Sequence, residues 1–344
     1  MTGRGKPWWR PDAYAARRPA LLARAALLRR MRDWFHGAGF VEVETPALQV
    51  VAGMEVHVAP FETALQEPDG RSRALRLHSS PEFAMKKLLV AGEPRLFQFA
   101  RVFRNGERSA THHPEFTLLE WYRAGAGWRD LIPDCEALLA LAGPELRWNG
   151  RRVPVAVPFE RLSVAAAFRD RLGLDVLAAD TARLAAACRA EGLEPGAGDG
   201  WEDLFFRLFL NRIESHLGLA RPTVLHGWPA RMAALARLDP DDPRVAERFE
   251  VYVGGLELAN AFGELTDAAE QRRRFEAAAS QRRALYGDDL PLDEDFLSAL
   301  EHGMPASAGI ALGFDRLAML ATGADNIEDV LWAPVAGAAH EEEG

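Results

Sequence analysis

Two stretches, RLFQFARVFRNGE and HPEFTLLEWYRAG, constrain the fold more than any others in this chain. Each is an apolar run of strand length with polar residues interleaved. Only a polar loop at about 105–113 separates them, so they read as two long strands of one antiparallel pair. Further β signals surround this hairpin. In FVEVETP, Val41 and Val43 alternate with Glu42 and Glu44, as in a half-buried strand closed by Pro46. PTVLHGWP and RFEVYVGGLELANAF add more, and SAGIALGFDRLAMLATG reads as a short strand or glycine turn leading into a helix. The strands come in clusters with helices around them, not in βαβ alternation. The expected class is α+β, a largely antiparallel sheet flanked by helices, which argues against a doubly wound nucleotide fold.

The helices follow from spacing. Leu21, Ala25, Leu28, Met31 and Phe35 recur every three or four residues, and Gly37 and Gly39 end that run. A turn at Ser80-Pro81 precedes a helix from Glu82, and further helices are expected over 128–142 and 267–286. Residues 160–220, rich in Ala and Leu and interrupted by EPGAGDG, read as a mainly helical insertion between two halves of one domain. That domain is expected to span 21–336, after an Arg- and Pro-rich arm over 1–20 and before a solvated tail over 337–344.

Bulk properties narrow the function. The 344 residues are 48% hydrophobic and 26% charged, ordinary for a globular protein. No apolar run approaches the roughly 20 residues that span a bilayer, and the start lacks a hydrophobic signal core. Cys135 and Cys188 lie far apart in the sequence, which suits a reduced, cytoplasmic setting. A net charge of −9 argues against a dedicated nucleic-acid binder, since phosphate contacts demand a basic face.

Familiar phosphate and nucleophile motifs are missing: there is no Walker loop, no G-x-G-x-x-G after a strand and no G-x-S-x-G elbow. His112-His113 is a poor metal pair, because neighbours on a strand point to opposite faces. Three other clusters carry chemistry. Arg104 ends a strand beside a mobile polar loop holding Glu107 and Arg108. It is placed either to grip phosphate with its planar fork or to pair across strands with Glu115 or Glu120. In Glu257-Leu258-Ala259-Asn260, strand alternation puts Glu257 with Ala259 on one face and Leu258 with Asn260 on the other. Their oxygens are hard donors of the kind Mg²⁺ takes. In GIALGFDRL the glycines let a ligand approach the backbone, and Arg316 sits unfavourably in the first turn of a helix. Either an anionic ligand or Asp315 would compensate it.

These stretches match a known family. FVEVETP resembles motif 1 of the class II aminoacyl-tRNA synthetases, RVFRNGE…HHPEFTLLEWY resembles motif 2, and GIALGFDRLAML resembles motif 3. HSSPEFAMKKLLVAG and RFEVYVGGLELANAFGELTD are similar to the lysyl type, and the likeness covers about 20–335. Motif 1 begins too early to leave room for an anticodon-binding barrel. The likeness is therefore closest to the truncated lysyl-type paralogues that attach (R)-β-lysine to a lysine of elongation factor P. Ala311 agrees, since the synthetases have glycine there and those paralogues alanine.

The resemblance implies ATP and Mg²⁺ as cofactors, β-lysine or lysine and elongation factor P as partners, no tRNA, no membrane, and a homodimer built through motif 1. It implies that Arg104 holds the α-phosphate, Arg316 the γ-phosphate of a bent ATP, and Glu257 with Asn260 the metal. Phe116 would stack on adenine near His113, with Asn105, Glu107, Leu258 and Gly313 also along the nucleotide. Gly106 stands where motif 2 usually has a glutamate, so adenine recognition would pass to Glu107 or to backbone. Glu82, Glu264 and Tyr122 would read the substrate's ammonium groups, supported by Ser80, Pro81, Glu120 and Ala311. Two rival activities share much of this: aminoacylation of tRNA or another small acceptor, and an asparagine synthetase of the class II type, which should lack S-x-P-E and Glu264.

Overall fold

A computed structural model describes residues 7–288 and 290–335. Its helices are α1 (Pro11–Gly37), α2 (Glu82–Val90), α3 (Ile132–Ala142), α4 (Val164–Leu172), α5 (Thr181–Ala190), α6 (Trp201–Leu208), α7 (Ala268–Tyr286), α8 (Glu294–Gly303) and α9 (Phe314–Thr322). Its strands are β1 (Val41–Glu42), β2 (Leu48–Gln49), β3 (Phe61–Gln66), β4 (Ser72–Leu77), β5 (Arg95–Phe103), β6 (Glu115–Ala124), β7 (Glu145–Trp148), β8 (Arg151–Pro154), β9 (Glu160–Ser163), β10 (Thr223–Pro229), β11 (Val245–Val253), β12 (Leu256–Gly263) and β13 (Ser307–Gly313). Eight strands form one sheet in the order β1-β5-β6-β13-β12-β11-β10-β9, antiparallel except at its two edges. The α+β expectation holds.

Strand alternation divides this sheet into a core face and a working face. Phe97, Trp121, Ile310, Ala261 and Phe249 are successive cross-strand partners, and all lie in the main hydrophobic core. Against them pack Leu27, Met31 and Phe35 of α1, together with α3 and α9. Phe35 stacks on Phe97 with ring centroids 4.4 Å apart. The other face is covered at one end by α2, α7 and α8 through Phe83, Phe275 and Phe296. Its β10–β11 end is covered by α4, α6 and the turn after α6, where Phe168, Phe205 and Phe209 pack with Leu225 and Tyr252.

Three sequence expectations need correction. Helix α1 starts at Pro11, so residues 11–20 are helical instead of forming an arm; the rest of the expected arm up to residue 6, and the tail over 337–344, lie outside the described residues. Proline at the first helical position explains the early start, because its missing N–H is not needed there. The inward stripe of α1 includes Arg24 rather than Ala25, for a reason given below. The motif 1 strand is only two residues long, and Val41 is 47% exposed where alternation predicts burial. The 160–220 segment does hold a core of its own, around Phe168, Phe205 and Phe209, but β9 also gives the large sheet its edge strand. Among the described residues no helix is long and apolar enough to cross a membrane.

Candidate active site

The working face is a set of cross-strand rows. One runs Gln98, Glu120, Ala311, Asn260, Glu250 across β5, β6, β13, β12 and β11; the next runs Leu96, Tyr122, Gly309, Phe262, Arg248. Glu120, Ala311 and Asn260 of the first row and Tyr122, Gly309, Phe262 and Arg248 of the second floor a cavity of about 400 Å³, walled by α2, the β5–β6 loop and the first turn of α9. Of the residues singled out from sequence, Asn105, Gly106 and Pro81 do not reach it. Asn105 bridges by backbone to Ala59, which pins the loop, and Gly106 turns that loop at φ 79°. Pro81 caps α2. The other fifteen line the cavity.

Neither Arg104 nor Arg316 forms a salt bridge among the described residues, although Glu55 feels the charge of Arg104 and Glu214 that of Arg316. Glu115 pairs with Arg101 at 2.8 Å, and Glu120 accepts from Ser80 and Tyr122, so neither takes Arg104. The buried Nε of Arg104 has no partner, and its guanidinium carbon lies 5.2 Å from the Phe116 ring centroid. Asp315 accepts from buried Arg24 at 2.7 Å and from the backbone N–H of Thr117, which is why α1 turns an arginine inward. Arg316 donates to the carbonyls of Thr111 and Glu257 and meets His112 Nε2 at 2.7 Å. Its hydrogen bonds thus go to neutral groups, and the Glu214 carboxylate acts on its charge from a distance.

His113 needs correction as a nucleotide contact. Both of its ring nitrogens are engaged internally, Nδ1 with the Glu115 carbonyl and Nε2 with the Val335 N–H. His112 is the imidazole that faces Arg316, and burial, then Arg316, hold its pKa below the ordinary value. A histidine pair on adjacent positions gave no means to choose between them.

A bulge assembles the acidic end. Val251 opposes Ala259 but Tyr252 opposes Glu257, so Leu258 is an extra residue in β12. Strict alternation would turn Glu257 away from Asn260. The bulge brings both to the cavity, a common use of this irregularity beside functional sites. Glu250, which sequence reasoning missed, stands directly across from Asn260. Burial, then the Glu257 charge, pushes its carboxyl up to about 7. Oδ1 of Asn260 is buried without a partner. Glu250 accepts from Arg248 at 2.6 Å and from the Tyr252 hydroxyl, and an orphaned amide oxygen beside this carboxylate and that of Glu257 fits Mg²⁺ chemically. Among the described residues no three acidic, histidine or cysteine side chains enclose a cation alone, so phosphate oxygens would have to complete the shell.

At the other end Glu82, Glu120 and Glu264 converge around Lys86, a second residue missed from sequence. Lys86 is 1% exposed, and its Nζ lies 2.5 Å from Glu82 Oε1 and 2.5 Å from Glu264 Oε2. With all three carboxylates ionised, the one Lys86 ammonium would leave two negative charges, and without a ligand the pocket avoids this by keeping protons. Burial, then Glu82, raises Glu120 from 4.5 to about 8, and burial raises Glu264 to about 7. The sign is set by the folded state holding protons that the unfolded chain has lost. Stability from these groups is therefore full below the ordinary value of 4.5 and is lost progressively as pH rises from there to about 7 to 8. The melting temperature of the ligand-free protein is expected to fall across that window and level off above it, with a smaller fall in Glu120→Gln. Scanning fluorimetry against pH measures this, and an equal fall in the variant would refute it.

Comparison with known proteins agrees with the arrangement. Residues 14–336 match the family described as tRNA synthetases class II (D, K and N). The chain belongs to that family. Its curated relatives within the class II synthetase family include elongation factor P–(R)-β-lysine ligases. The one from Klebsiella pneumoniae is 43% identical over 94% of this chain and 96% of its own length. Those from Proteus mirabilis and Haemophilus influenzae are 41% and 40% identical, over 95% and 94% of this chain and 97% and 96% of their own lengths. In this class II synthetase, then, an arginine pair, an acidic bulge and a carboxylate-rich pocket share one sheet face.

Proposed function

We propose that this class II enzyme activates (R)-β-lysine with ATP as an aminoacyl-adenylate and transfers it to the ε-amine of a lysine of elongation factor P. The observation that carries the reading is a pocket in which three buried carboxylates converge on one lysine, beside two arginines that form no salt bridge among the described residues. That arrangement suits a substrate with two ammonium groups whose carboxylate must reach a phosphate. The relatives' names supply the acceptor and the isomer.

In the first step the β-lysine carboxylate attacks the α-phosphorus of ATP, forming a C–O–P bond as the bond to pyrophosphate breaks. In the second, the acceptor amine attacks the activated carbonyl and AMP leaves. No enzyme nucleophile is needed, and positioning with charge neutralisation supplies the rate. Arg104 would hold the α-phosphate and Arg316 the γ-phosphate. Glu257, Asn260 and Glu250 would hold Mg²⁺, which when bound offsets phosphate charge. Glu82, Glu120, Glu264 and Tyr122 would orient the ammonium groups. Ala311, between Glu120 and Asn260 in the central row, carries the methyl group that shapes the floor where the substrate's chain crosses.

Incubation with ATP, each lysine isomer, and either elongation factor P or tRNA, followed by mass spectrometry, tests the proposal. β-Lysyl mass on the protein factor is expected; mass on tRNA alone would overturn it. We place this activity in the cytoplasm and in a homodimer. Val41, Leu48 and Val50, close in sequence after α1, are exposed apolar residues that a second copy would cover. Light scattering should give twice the chain mass, and a monomer at micromolar concentration would contradict this.

A further inference from the structure

Lys86 takes part in neither step above, yet it is a buried ammonium at the centre of the amino-acid pocket. An exposed Glu-to-Lys pair one helical turn apart contributes only about 0.2–0.5 kcal/mol. Here the pair points inward, and the second carboxylate comes from Glu264, just past the end of β12. Glu120 acts on the same group from β6, Tyr122 faces Glu82 and Glu264 beside it, Glu55 acts on Glu82 from the segment before β3, and Arg237 acts on Glu264 from the segment before β11. Burial pushes the Lys86 ammonium down, but Glu264 and Glu82 push it further up, so it stays charged.

We infer that Lys86 is a resident cation that sets the charge of the pocket, and thereby selects substrates with two ammonium groups over those with one. The inference rests on the functional reading above. With Lys86 in place, the two ammonium groups of a diamino acid draw the protons from Glu120 and Glu264 and balance all three carboxylates, whereas an analogue lacking one amine must leave one carboxyl protonated or unpaired, which is costly. Without Lys86 the pocket has one carboxylate too many for the same substrate, and it takes up a proton instead. Lys86 acts through Glu82 and Glu264, so it is a positioning residue.

The test is ATP–pyrophosphate exchange by the full chain, with β-lysine and with 3-aminohexanoic acid, across pH. In Lys86→Met the acidic limb of kcat/KM for β-lysine should move up by about one unit, equivalent to a KM about tenfold higher at neutral pH. That KM should recover toward pH 9, while kcat and the KM for ATP stay near wild type and the preference for β-lysine over the monoamine narrows. Lys86→Arg, which keeps the cation, should keep the wild-type limb. A limb that does not move, with kcat/KM lowered equally at every pH or unchanged, would mean that Lys86 only supports the fold. If Lys86→Met does not fold, Lys86→Met/Glu264→Gln removes one charge of each sign. It should show the limb at its wild-type position, and a displaced limb would overturn the inference. Wild type exchanging with neither lysine isomer overturns the functional reading and the inference with it. Wild type that exchanges while the variants behave alike overturns only the role of Lys86.

Discussion

Arg104→Ala and Arg316→Ala should each lower ATP–pyrophosphate exchange by about 10³-fold or more, with the fold intact. Each arginine lacks a carboxylate of its own. Glu115 belongs to Arg101 and Asp315 to Arg24, so truncating Arg104 or Arg316 breaks no salt bridge, though Glu55 and Glu214 respectively lose a nearby cation. The melting temperature should therefore move little. The loss should appear in kcat as well as in the KM for ATP, because charge builds on the phosphates as the new bond forms. Arg316→Ala also frees His112 from an adjacent cation, so the imidazole pKa should rise toward its ordinary value. Proton NMR of that histidine tests the geometry without any turnover. Normal exchange in either variant would sink the assignment of phosphate binding to these residues.

The second large effect is expected from Gly309→Ala. A methyl group on Gly309 would run into the Tyr122 ring and the Glu264 carboxylate. Neither can withdraw. Tyr122 is 3% exposed with its hydroxyl bound to Glu120, and Glu264 is fully buried. Overpacking of this kind costs about 1–3 kcal/mol of stability. The displaced groups are those proposed to read the ammonium groups, so β-lysine activation should be lost. ATP binding should survive, since Phe116 lies near the opposite end of β6 from Tyr122 and Arg104 just past the end of β5. Calorimetry separates the two, and retained β-lysine-dependent exchange would refute the prediction. Gly313 makes the contrast: an added methyl there meets only the Arg316 side chain at 3.6 Å or more, an ordinary contact.

Most of the sheet was legible because its strands obey strict alternation. Phe97, Phe99, Leu119 and Trp121 are apolar where the core requires it, while Glu120 and Tyr122 carry the chemistry on the other side. What could not be read depended on breaks in that rule or on partners distant in sequence. Leu258 looks like any apolar strand residue, and nothing local marks it as an extra one. Lys86, four residues after Glu82, reads as half of a solvated helix pair until Glu264 arrives from 178 residues away. Arg24 breaks the apolar stripe of α1 because Asp315, on α9, needs a cation. His112 and His113 differ only in which way the loop turns them.

The bulge in β12 also bears on any attempt to transplant this site. Copying Glu257, Leu258, Ala259 and Asn260 onto a flat hairpin would preserve every residue and lose the function. The carboxylate would point to one side of the sheet and the amide to the other. What must be carried over is a change of phase, and it resides in the pairing of Tyr252 with Glu257 rather than in the four residues themselves.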